Sequence, residues 1–184
     1  ETSKNERNGE KGEAKQSQRK LTNFHLISFQ LICEVNDTLQ RSNDVDQQHF
    51  FFLNGYVSKI KNDDRIYYPA CKSDNCRKKV IEDQGGYRCE NCNMTNSDFN
   101  PSYMFSACIS DFTESIYVNF ARDQGTSLMG MSAEAFRKFK ETNDEATVQK
   151  HFDDLLFKKF NIMVKGKYEY YNGTQTHSQL KRTN

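Results

Sequence analysis

The chain has 184 residues, enough to bury one real core, and a formal net charge of +1 excludes a general polycation. No run reaches the about eighteen apolar residues of a membrane span, and no glycine-rich phosphate loop, H-E-x-x-H or carboxylate pair in a defined context marks an enzyme. Any anion-binding surface must come from local segregation of charge. Residues 1–20 have Ala14 as their only aliphatic side chain. They cannot bury enough surface to offset ordering, which predicts a disordered linker ahead of a domain over 21–184. From Leu21 to Val35 the chain is apolar but mixed in period, so helix and strand both stay open. Residues 36–48 read as a polar loop.

His49 to Ile60 is rich in Phe, Tyr, Val and Ile and predicts a strand, with Asn54-Gly55 marking a bulge or bend. A turn signal at Asn62-Asp63-Asp64 precedes a second strand, Ile66 to Ala70. This strand leads directly into Cys71. Cys71, Cys76, Cys89 and Cys92 then read C-x4-C, twelve intervening residues, C-x2-C. Two short-spaced pairs joined by a hairpin-sized insert can bring four thiolates to the corners of a tetrahedron, as a closed structural zinc site requires. Two disulfides or a redox pair are the competing readings. Gln84-Gly85-Gly86 is the expected tip of the insert, which spans 71–92.

Two more strands follow, Tyr103 to Ser110 and Ile116 to Arg122. Ser132 to Lys140 then places Phe136 and Phe139 on one helical face. Val148, Phe152, Leu155 and Leu156 form the stripe of a second helical stretch that Asn143 or Asp144 would cap. Lys159 to Tyr171 alternates Phe160, Ile162 and Val164 inward with Asn161, Met163 and Lys165 outward. Asn172-Gly173 signals a hairpin turn before a last strand within Thr174 to Arg182. If the stretches before and after the cysteine insert form one interrupted strand, the count is five, with a helical segment between the third and fourth. That is the order of an OB-fold barrel with an inserted zinc ribbon. Cys33 and Cys108 lie in apolar runs and read as buried, inert thiols. His25, His49, His151 and His177 are scattered and read as filler, so binding is expected and catalysis is not.

The segments Tyr68-Pro-Ala-Cys71, Cys76-Arg-Lys-Lys-Val80 and Tyr87-Arg-Cys-Glu-Asn-Cys92 resemble the zinc-bearing C-terminal OB domain of the replication protein A large subunit. Ser110-Asp-Phe112, the Phe120 strand and the helix after it continue the likeness, which covers residues 45–175. A tryptophan expected near Asn23 is missing, and the sequence stops near its last strand, where the family carries a long amphipathic helix used for heterotrimer assembly. A telomerase-associated paralogue of the ciliate kind is the alternative within the resemblance. The resemblance implies single-stranded DNA, G-rich telomeric DNA included, as ligand. It also implies Zn²⁺ as cofactor, other OB-fold subunits of a heterotrimer or telomerase holoenzyme as partners, and a nuclear address.

Single-strand binders combine cations along a groove with rings on which bases stack. Lys158, Lys159, Lys165, Lys167, Lys181 and Arg182 face a single acid, Glu169, over the late strands, whereas acids outnumber bases from Met131 to Phe157. Lys165, Lys167, Tyr168 and Tyr170 interleave cations and rings; solvated lysines and packed tyrosines are the plainer account. In the family an aromatic at the place of Phe120, beside Arg122, stacks on a base. Alternation puts Ile116, Val118 and Phe120 on one face and Tyr117, Asn119 and Ala121 on the other, which leaves Phe120 open to a stacking or a core role. Arg77, Lys78 and Lys79 exceed what neutralising a zinc-thiolate centre needs and would extend the track. A second function class stays open: a zinc-stabilised scaffold that docks partner subunits, with incidental DNA affinity.

Overall fold

The computed structural model describes residues 28–42, 47–61, 66–167, 169–171, 174–176 and 180–182, with backbone pairing alone from Lys167 onward. The linker expected over 1–20 lies outside them. Helix α1 (Ile32–Arg41) comes first; it settles the open stretch up to Val35 as helix and runs on into residues 36–41, where a polar loop was expected. Its leading amides are satisfied at a distance: Ile32 N–H donates to Asp111 Oδ2 at 2.8 Å and Cys33 N–H to Thr113 Oγ1 at 3.3 Å.

Strand β1 (Gln48–Ile60) alternates as its sequence demands, burying Phe51, Leu53, Gly55 and Val57 and turning Phe50, Phe52, Asn54 and Tyr56 outward. It pairs with β8 (Lys159–Lys167) along Gln48 to Tyr56, then with β6 (Asn100–Ser110) from Tyr56 to Ile60. The bulge falls between Val57 and Lys59, just past the predicted Asn54-Gly55. Gly55 is required for a different reason: a Cβ there would lie 2.7 Å from the Ser110 carbonyl oxygen. Bulge and close approach together let one strand bend across two neighbours.

Strand β6 pairs with β7 (Ser115–Ala121), β7 runs parallel to β11 (Leu180–Arg182), and β11 returns to β8. The circuit β1-β6-β7-β11-β8-β1 closes, as predicted for a five-stranded OB barrel. One detail differs. Strand β2 (Tyr67–Ala70) does not continue into β6 as an interrupted strand; it pairs antiparallel with it, from Tyr67↔Tyr103 to Ala70↔Asn100. The cysteine insert therefore leaves from the end of a hairpin. It holds a three-stranded sheet of β3 (Ile81–Asp83), β4 (Gly86–Cys89) and β5 (Met94–Asn96). Gln84 and Gly85, both at positive φ (48° and 82°), make the tight β3–β4 turn.

The helical segment has three pieces: α2 (Arg122–Met129), α3 (Ala133–Thr142) and α4 (Glu145–Asp153). Ser132 and Asp144 cap the last two through their side chains, accepting from Ala135 N–H and Thr147 N–H. Helix α2 has no periodic apolar stripe to announce it. Its Gly125 sits where a Cβ would come 2.5 Å from Tyr103 Cβ. Gly125→Ala is expected to lower stability by about 1–2 kcal/mol, the overpacking outweighing the gain in helix propensity. A urea melt with an unchanged or raised midpoint would count against that close packing. The barrel core gathers Leu53, Val57, Ala107, Ile109, Val118, Phe120, Ile162 and Val164, closed by Phe136 and Phe152 from the helices. Strands β9 (Glu169–Tyr171) and β10 (Thr174–Thr176) pair as the predicted hairpin, with Tyr171 opposite Thr174. Among the described residues no helix is long and apolar enough to cross a membrane.

Candidate metal centre and nucleic-acid interface

The ribbon folds around its cysteines. Sγ atoms of Cys71, Cys76, Cys89 and Cys92 all lie within 4.8 Å of one another, Cys76 and Cys89 at 3.7 Å and Cys71 and Cys92 at 4.0 Å. The edge of a zinc–thiolate tetrahedron is about 3.8 Å for Zn–S bonds of about 2.3 Å, so the donor set fits that ion. Polar neighbours suit thiolates as well. Ser73 puts its hydroxyl 3.4 Å from the Cys71 sulfur and donates its backbone N–H to it at 3.5 Å, and these bonds hold the Cys71 thiol down at about 7. Asn91 Nδ2 donates to Cys76 Sγ at 3.6 Å and to Cys92 Sγ at 3.9 Å. Val80 is buried beside the cysteines, and Tyr87 and Phe99, edge to face with centroids 4.8 Å apart, pack against them. All four positions are filled by protein, so such a centre holds the ribbon together and leaves no place for substrate.

On the barrel, the outer face of β6 and β7 is the second site. Met104, Ser106 and Cys108 stand opposite Ala121, Asn119 and Tyr117. Met104 and Tyr117 are 63% and 45% exposed. Ser106 Oγ donates to Asn119 Oδ1 at 2.5 Å, which fixes the amide. Lys61, just past β1, holds its ammonium 4.6 Å from the centre of the Tyr117 ring. A cation and an accessible ring thus share one patch of sheet.

The sequence-derived residues fall into three groups. Phe120 is corrected: at 1% exposed it lies in the core, stacked on Phe105 with centroids 5.8 Å apart, and no base can reach it. The same alternation that buries Phe120 presents Tyr117 and Asn119. Weighing the two faces would have found them, because Ile116, Val118 and Phe120 are the more apolar set. Lys165 lies on the outer face of β8, in a register row that runs Phe50–Lys165–Lys181–Asn119 across four strands. Two strand spacings, about 10 Å, separate it from Asn119. Lys78 and Lys79 are exposed on the ribbon, and Lys79 bridges to Ala70 beside the start of β6. Arg122 is exposed but belongs to another surface: with Arg77 it lines a groove of about 380 Å³ between ribbon and helices, shared with Asp74, Asp123 and Glu134. Tyr168 lies outside the described residues, as do the side chains of Lys167 and Tyr170. Cys108 is buried as expected, while Cys33 is only partly so.

A closed five-stranded Greek-key barrel with a four-cysteine ribbon between its first two barrel strands defines an OB-fold domain of the ribbon-bearing kind. Residues 50–182 match the family described as "Replication factor-A C terminal domain", and the chain belongs to that family. It is 29% identical over 164 residues to replication factor A protein 1 of Saccharomyces cerevisiae, covering 89% of this chain and 26% of the relative. It is 33% identical over 117 residues to the replication protein A 70 kDa DNA-binding subunit of Xenopus laevis, covering 63% of this chain and 19% of the relative. A replication protein A heterotrimer bound to single-stranded DNA superposes with a TM-score of 0.75 at 25% identity, over 84% of this chain and 35% of that one. Yeast replication protein A bound to single-stranded DNA gives 0.72 at 24% identity, over 86% and 87%, which supports the fold. The chain thus spans about a quarter of the yeast relative's length.

Proposed function

We propose that this domain binds single-stranded DNA on the outer face of β6 and β7, as part of a replication protein A-like large subunit, and that Zn²⁺ in the four-cysteine centre holds its ribbon. The observation that carries the reading is Tyr117, exposed on the third barrel strand beside Lys61 at the end of the first, on the face that the second and third strands share. Those strands and the loops between the first and second and between the fourth and fifth are where OB folds take oligonucleotides. Lys61 opens the first of these loops. The β9–β10 hairpin, with Lys167, Tyr168 and Tyr170, belongs to the second. A base stacked on Tyr117 would free Lys61 for the adjoining phosphate, and Lys165 would meet the strand further along. Lys78 and Lys79 would lengthen the track from the ribbon end of β6. The chemistry is stacking and phosphate neutralisation, without a catalytic step.

Fluorescence anisotropy of a labelled single strand at several salt concentrations tests this. Tyr117→Ala is expected to lose about 1–3 kcal/mol of binding at every salt. Lys61→Ala is expected to weaken binding and flatten the salt slope by about one. Unchanged affinity in both variants would move the site off this face. A telomerase-associated role, with its nuclear address, would add a preference for G-rich strands over pyrimidine runs in the same titration.

A second reading is subunit docking, and the exposed rings favour it. Phe50, Phe112 and Phe157 are 55%, 87% and 71% exposed, and none of them lies on β6 or β7. A solved structural relative of this chain is a heterotrimer. Substitutions at Phe112 and Phe157 that disrupt assembly but spare strand binding would assign the two roles to two surfaces.

A further inference from the structure

Ribbon and barrel have separate apolar cores, one around the cysteines and Val80, the other inside the strands. The β2–β6 ladder that joins them is short, four residue pairs from Tyr67↔Tyr103 to Ala70↔Asn100. A side chain from helix α3 spans the same junction. Arg137 Nη1 donates to Asp98 Oδ1 at 2.9 Å, its guanidinium lies 4.4 Å from the centre of the Phe99 ring, and its Nε donates to Glu141 at 3.1 Å. Asp98 also holds Lys72, next to Cys71, at 3.5 Å. Phe99 rests on Tyr87 and through it on the cysteine cluster. On its other side α3 is anchored by Phe136, buried against Tyr103 and Phe152 in the barrel core. Contacts therefore run without a break from barrel core to metal centre through Arg137. An isolated surface ion pair contributes little, but a planar guanidinium held on three sides is pre-organised.

We propose that Arg137 is a positioning residue for strand binding: its grip on Asp98 and Phe99 fixes the ribbon so that Lys78 and Lys79 stay in line with the outer face of β6. This rests on the nucleic-acid reading above. Lys78 and Lys79 make no ion pair among the described residues, whereas Lys72 and Arg88 are paired with Asp98 and with Asp83 and Glu90. Their use by a strand depends on where the ribbon points. Without Arg137 the ribbon would lose this brace to α3, and the two lysines would be held less firmly on the track.

The test combines strand affinity with ribbon geometry in the zinc-loaded chain. Lys78→Ala/Lys79→Ala is expected to weaken binding about tenfold and Arg137→Ala about fivefold, although Arg137 does not touch the strand. The combined variant should also be about tenfold weaker, because both changes remove the same contacts; independent effects would multiply to about fiftyfold. Arg137→Lys should recover part of the loss. Fluorophores on noncanonical residues at Glu82 and Glu145 should report a broader ribbon–helix distance distribution in Arg137→Ala, with zinc content unchanged. If Arg137→Ala does not fold, Asp98→Asn probes the same contact from the ribbon side. Multiplicative losses, or an unchanged distance distribution, would overturn the proposal. A wild-type chain that binds no strand would instead overturn the nucleic-acid reading, with the distances still deciding the role of Arg137.

Discussion

Replacing Cys89 by serine is expected to unfold the ribbon and leave the barrel standing. Cys89 is fully buried, 3.7 Å from Cys76, on the central strand of a sheet whose strands are three and four residues long. Sheets that short do not hold themselves together. The ribbon's apolar material is Val80 with the half-buried Tyr87 and Phe99, far too little to offset the ordering of roughly twenty-five residues. A structural zinc supplies about 10–16 kcal/mol of apparent binding energy, and here that would be the ribbon's folding energy. The variant should release its zinc, lose amide protection over 71–96, and keep slow exchange in β1, β6 and β8. A chelator should produce the same pattern in the wild-type chain. A ribbon that keeps its protection without metal would contradict the zinc reading and return the cysteines to the disulfide alternative.

Phe120→Ala is expected to cost about 3–5 kcal/mol of stability. Its ring is 1% exposed and stacked on Phe105, with the interplanar angle at 15°. It belongs to the buried core of the barrel with Val118 and Val164, so its truncation leaves a cavity there. For a domain of this size the melting temperature should fall by on the order of 10 °C. Tyr117→Ala, one strand face away, should cost far less stability while removing a stacking platform. The pair separates core from contact. Phe120→Leu, which keeps most of the volume, should bind the strand as the wild type does. If Phe120→Leu folds normally yet loses the strand, the assignment of the two faces of β7 is wrong.

Much of this arrangement could be read in the chain because its causes are local. Alternation from Lys159 to Lys165 states which residues of β8 face inward. Gly85 marks a turn that needs positive φ, Asp144 caps its own helix, and the four cysteines carry their ligand spacing on the surface of the sequence. What escaped has causes at a distance. Helix α1 is hidden because its first amides are satisfied by Asp111 and Thr113, roughly eighty residues on. Helix α2 is hidden by Gly125, which is there because Tyr103 leaves no room for a Cβ. Its first residue, Arg122, turns the chain out of β7 at φ 51°, and no residue type signals that. The pairing of β2 with β6 depends on how the ribbon returns the chain, and spacing alone is silent on whether two stretches lie end to end or side by side. Phe120 is the instructive case. Strand period leaves two candidate faces, and only the surrounding core decides which one water can reach.

Amide chemical-shift mapping of the zinc-loaded chain with an unlabelled single strand tests the central claim most directly. Shifts are expected along Met104, Ser106, Tyr117 and Asn119, at Lys61 and Lys165, and at Lys78 and Lys79. Shifts confined to α3, α4 or the outer face of β1, with β6 and β7 silent, would contradict it.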